Sequence, residues 1–164
     1  MTRRGTTRTW TAAFVAAALA LGQVPWADEA PALCKGQTLY VPVYSHIYWG
    51  PKARPFDLAC TLSIRNVDTR EALTLVAVEY YDTHGKKVKS HLDKPLTLAP
   101  LGTKEYYIEE KDARGGSGAN FIVRWVSERP VNAPIVECIM IGVEGAQGVS
   151  FTSRGRAILE PPPK

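Results

Sequence analysis

Cysteine and histidine are both scarce in this chain, and no apolar run reaches the length of a membrane span. Three cysteines in 164 residues exclude the disulfide-dense scaffolds of small secreted domains. The three histidines, His46, His84 and His91, show neither a His-x-His nor a His-x-x-x-His spacing, so no zinc signature is written in the chain. An apolar run at 12–22 (AAFVAAALALG) is eleven residues long, about 16 Å as a helix and about half a hydrocarbon core. A permanent transmembrane helix is therefore not expected. Helical periodicity of useful length and internal repeats are also missing, which removes bundles and solenoids.

What precedes the domain is a leader. Arg3, Arg4 and Arg8 stand before the 12–22 run without an acidic residue, which is the order of a secretory signal peptide. Cleavage is expected after Gly22, with Ala27 as the second choice. This predicts an exported, periplasmic or secreted protein, with 1–22 the signal peptide, 23–36 a linker, 37–158 one domain and 159–164 a Pro-rich tail. Lipid attachment at Cys34 is the alternative, weakened by Leu33 where a small residue is wanted. Removing three arginines from 20 basic residues leaves 17 against 16 acids. The mature chain is nearly neutral, and its basic pI is no argument for a nucleic-acid partner.

From residue 37 onward the chain reads as short β-type runs separated by Gly, Pro, Asn and Asp clusters. The runs are 38–48, 57–66, 72–82, 86–91, 95–99, 103–110, 119–127, 135–143 and 148–158. Alternation puts Leu58, Cys60, Leu62 and Ile64 on one face, and Phe121, Val123 and Trp125 on another. So many strands cannot bury one side in a single open sheet, which predicts an all-β, antiparallel two-layer β-sandwich of immunoglobulin-like kind; a partly closed barrel is the alternative. Cys60 and Cys138 lie inside strand-like runs, and an oxidising compartment predicts a disulfide between them that staples the two layers, worth about 4 kcal/mol in the loop-entropy model; two reduced, buried cysteines acting as small apolar residues are the alternative.

Five segments resemble a family of uncharacterised bacterial proteins known as domain of unknown function 3124: YVPVYSHIYWG (40–50), RPFDLACTLSIRN (54–66), VEYYDTHGK (78–86), GGSGANFIVRW (115–125) and SFTSRGRAI (150–158). The resemblance covers roughly 36–158 and implies a bacterial exported protein. It implies no activity and carries over no site residues.

Candidate chemistry must then come from the residues themselves. On the 38–48 run, alternation assigns Val41, Val43, Ile47 and Trp49 to the core face and Tyr40, Tyr44, His46 and Tyr48 to the other, with Pro42 marking an edge strand. An outward Tyr44/His46/Tyr48 stripe is the amphipathic surface enriched at interfaces; cross-strand packing is its plain alternative. Gly115, Gly116, Ser117 and Gly118 form a second candidate, because dense glycine lets a backbone approach a ligand. That loop lacks the helix that a nucleophile elbow or phosphate cradle requires, and Glu109, Glu110 and Asp112 match no calcium loop. Arg154, with Arg156 and Arg65 nearby, offers a guanidinium fork to a carboxylate, or else pairs with Glu79, Glu109 or Glu110. No catalytic residue, resident metal or cofactor is expected. The functional expectation is a non-enzymatic module binding an envelope protein, peptide or glycan; the alternative is an envelope copper- or zinc-binding protein using His46 and Cys34.

Overall fold

The computed structural model describes residues 32–159; the expected leader, most of the expected linker and nearly all of the expected tail lie outside them. Twelve strands follow in order: β1 (Cys34–Pro42), β2 (His46–Trp49), β3 (Arg54–Asp57), β4 (Ala59–Arg65), β5 (Leu73–Tyr81), β6 (Lys87–Ser90), β7 (Leu96–Leu98), β8 (Thr103–Ile108), β9 (Asn120–Val131), β10 (Ile135–Glu144), β11 (Gln147–Arg154) and β12 (Arg156–Ile158). One sheet runs β12-β1-β9-β5-β6, with β7 also on β5, and a second runs β11-β10-β4-β8. Every pairing is antiparallel. The two layers make an all-β sandwich. A separate two-stranded hairpin, β2-β3, belongs to neither sheet.

Alternation explains the core. Leu58, Cys60, Leu62 and Ile64 from one layer and Phe121, Val123 and Trp125 from the other are all at most 1% exposed. Trp125, Tyr80 and Phe121 are the largest side chains buried there. On β5 the period is broken once: the register against β9 shifts between Leu75 and Ala77, Val76 is exposed, and Val78 and Tyr80 return to the core. A bulge of this kind adds one residue and re-aims those after it.

The strand boundaries correct several expectations. The 38–48 run is two strands, because the chain leaves the first sheet after Pro42 and starts the hairpin at His46. Pro42 does not mark an edge strand: β1 lies between β12 and β9, and its pairing with β12 ends at Tyr40, before the proline. The 148–158 run is also two strands, which change sheet at Gly155. There a Cβ would stand 3.1 Å from the Val136 carbonyl. Pro130 lies inside β9, where the β1 register shifts between Cys34 and Gly36.

The predicted inter-layer staple is absent. Cys60 and Cys138 are free thiols on adjacent strands of one sheet, Cys60 opposite Met140 and Cys138 opposite Leu62. They are diagonal neighbours, so a bridge between them could not join the layers. The neighbouring Cys60 thiol and burial both push the Cys138 thiol far above its ordinary range, and a thiol held neutral is a poor nucleophile for disulfide exchange.

Two turns meet at a polar hub that the sequence marks only as Asn-x-Asp. Asn66 Nδ2 donates to the carbonyls of Glu71 and Ala99, and Asn66 Oδ1 accepts from the Asp68 amide. Asp68 in turn accepts from the backbone N–H groups of Arg70, Glu71 and Asn132, which hold its carboxyl at about 2.

Candidate functional site

The β2-β3 hairpin is seated by a glycine and presents aromatics. A Cβ at Gly142, on the inward face of β10, would lie 2.4 Å from Phe56 and 2.6 Å from the Asp57 carbonyl; only glycine lets β3 cross β10 this closely. Phe56 is thereby buried, and the Leu58 amide donates to the Ser45 carbonyl. On the opposite face Tyr48 is 60% exposed, and Trp49, on the Phe56 face at the turn end of the hairpin, is 46% exposed, so Trp49, assigned to the core by alternation, is a surface residue. The reason is that the strand bearing it leaves the sandwich.

The predicted tyrosine stripe divides. His46 Nε2 lies 3.1 Å from the Tyr48 hydroxyl with the rings edge to face. Tyr44 is half-buried in the irregular link after β1 and packs edge-on against Phe151, centroids 5.8 Å apart. Beneath Trp49 is a notch of about 240 Å³ lined by Ile47, Trp49, Phe56 and Val149, with Glu144 and Gln147 as its polar groups. A second hollow, of about 260 Å³, is lined by Trp49 with Gly50, Pro51, Lys52 and Arg54. Trp49 is the wall that both share.

The glycine loop is a clasp rather than an open cradle. Gly115 is buried, and a Cβ there would fall 1.9 Å from the Tyr80 hydroxyl. Its carbonyl accepts from both the amide and the hydroxyl of Thr83. The Gly116 carbonyl accepts from Ser45 N–H, the Ala119 carbonyl from Val43 N–H, and Gly118 N–H donates to Thr83 Oγ1. Ser45 and Tyr80 share a buried hydrogen bond of 3.0 Å beside it; burial pushes the Tyr80 phenol up. Ser117 is half-buried within this loop. The backbone groups offered for a ligand are thus largely spent on the 43–45 link and the Asp82–Gly85 turn. Sequence reasoning missed Thr83 and Ser45, since their partners are more than 30 residues distant.

The remaining candidates lie apart. Arg154 is exposed on β11 opposite Glu137, not beside Glu79, Glu109 or Glu110. Glu79 takes Lys87 and Arg124 at 3.0 Å each. Burial opposes its ionisation, but the Lys87, Arg124 and Tyr81 hydrogen bonds outweigh it and hold the carboxyl below its ordinary value. Asp112 is engaged by Arg114 at 2.6 Å. His91 is wedged between Tyr106 and Phe121, where desolvation and nearby Lys89 lower it to about 4. Cys34 opens β1 opposite Val131, about 27 Å along an extended strand from its far end, so His46 and Cys34 cannot share one ion. Among the described residues no three His, Cys, Asp or Glu side chains gather as a metal site, and no helix is long and apolar enough to cross a membrane.

Fold and surface together define a β-sandwich domain carrying an accessory aromatic hairpin. The model of the family described as "Protein of unknown function (DUF3124)" matches residues 36–158, and the chain belongs to that family. No curated protein matches it. Among solved structures, a Thermotoga maritima chain, "Crystal Structure of Thermotoga maritima 1070", is similar at 13% identity, covering 73% of this chain and 92% of that one, with a TM-score of 0.45.

Proposed function

We propose that this protein is an exported, non-enzymatic binding module that takes an envelope ligand, a protein segment or glycan, on its β2-β3 hairpin. The observation that carries this reading is the exposure of both Tyr48 and Trp49 on opposite faces of a hairpin outside the two sheets, with Trp49 lining an apolar notch that has few polar groups. Aromatic residues with one wet and one dry side dominate recognition surfaces, because they bury large area at little entropy cost. Export is supported by the basic-then-apolar leader at 1–22. The glycine loop and Arg154 are set aside as ligand groups, the first because its carbonyls are engaged internally and the second because it lies on another strand.

The test mixes the purified protein with isolated peptidoglycan and, separately, with an envelope protein extract, and measures retention. Tyr48→Ala with Trp49→Ala is expected to lower retention by at least tenfold, with Tm within a few degrees of the parent. Retention that survives the double substitution removes the hairpin from the reading; unfolding makes those side chains structural.

A further inference from the structure

Both outer faces of the sandwich expose apolar side chains, but that of the β1-containing sheet, with Tyr40, Val126 and Ile158, also carries the Lys87–Glu79–Arg124 ion pairs. The other sheet displays on its outer face the odd-numbered positions of β10, of which Ile135, Ile141 and Val143 are 48%, 50% and 65% exposed. Tyr107, on β8 of the same sheet, is 63% exposed. Ile139 and Thr61 lie between them, half-buried and in register with Tyr107. The next row across the sheet reads Arg154, Glu137, Ser63, Glu105 from β11 to β8, with an exposed cation at one edge, an exposed carboxylate at the other and Ser63 buried between its neighbours.

We propose that this face is the contact surface for a second copy of the chain, packed face to face about a two-fold axis parallel to the strands. Such an axis lays β11 of one copy over β8 of the other without changing the row. Arg154 then meets the second copy's Glu105, twice by symmetry, and Ile139 and Ile141 meet the second copy's Thr61 and Ala59. A two-fold axis across the strands instead lays the charged row over apolar residues, so the charge pattern selects the first arrangement. Four strands at about 4.8 Å spacing and nine residues at about 3.4 Å give roughly 600 Å² per copy, or about 1,200 Å² in all. That is the lower end of the range for a specific interface. The same axis leaves both β2-β3 hairpins at one end of the dimer, so a repetitive ligand would be held at two points.

Sedimentation velocity on the full-length chain from about 2 to 200 µM tests this without reference to any ligand. The expected result is a concentration-dependent monomer–dimer equilibrium that Ile141→Arg abolishes while Tm stays within a few degrees. Arg154→Glu is expected to weaken dimerisation at least tenfold, and adding Glu105→Arg to restore it. A monomer throughout the range, or association that persists in Ile141→Arg, overturns the proposal; so does failure of the charge reversal to rescue. Loss of hairpin-dependent retention leaves this result untouched, which separates the two readings.

Discussion

At the scale of the residue, the strongest constraints fall on small or polar positions. Gly115→Ala puts a methyl group onto the Tyr80 hydroxyl, and Tyr80 is packed against Phe121 with centroids 5.0 Å apart, so the ring has nowhere to go. The expected cost is about 1–3 kcal/mol of overpacking, read from the urea midpoint. Asn66→Ala deletes the donor shared by the Glu71 and Ala99 carbonyls and is expected to destabilise by about 2–3 kcal/mol. His91 supplies the pH dependence. Its folded value near 4 lies below the ordinary 6.5, so the unfolded chain binds the proton more tightly. Stability is complete above pH 6.5 and falls as pH drops toward 4. His91→Phe keeps a ring between Tyr106 and Phe121 and is expected to flatten Tm across that window. A slope equal to the parent's would place the titrating group elsewhere.

At the scale of the element, the β2-β3 hairpin depends on a residue in another strand. Gly142→Val drives a branched side chain into Phe56 and the Asp57 carbonyl. The hairpin is expected to lift while the β4-β10 ladder persists, seen as altered Trp fluorescence and lost ligand retention with far-UV circular dichroism retained. Most strands were legible from alternation, since Leu58 to Ile64 and Phe121 to Trp125 pack as that period demands. The hairpin was not legible. Residues 40–48 continue the alternation of β1 unbroken, and nothing local says that the chain changes partner after Pro42. Trp49 therefore reads as core by period and is surface by topology. The glycine loop misled for a related reason: glycine density marks close approach of backbone to something, and here that something is Tyr80 and Thr83 of the same chain.

At the scale of the whole molecule, the core closes over its sulfur without a cross-link. Cys60 and Cys138 are at most 1% exposed, whereas Cys34 is partly open. A thiol reagent is expected to label Cys34 alone in the native protein and all three cysteines after denaturation without reductant. Labelling of one thiol under both conditions would show a Cys60–Cys138 bridge. Composition and periodicity by themselves determined the β class, the sandwich and the inward faces of β4 and β9, because a two-residue period and turn-forming residues are local properties. Which layer each strand joins was decided only in three dimensions. Pairing partners such as β4 and β10 are some 75 residues apart, and the selection among them is made by packing against Trp125, Tyr80 and Phe121. The same packing put both buried cysteines in one sheet, turned the glycine loop inward, and left Trp49 and the outer face of β10 exposed to solvent.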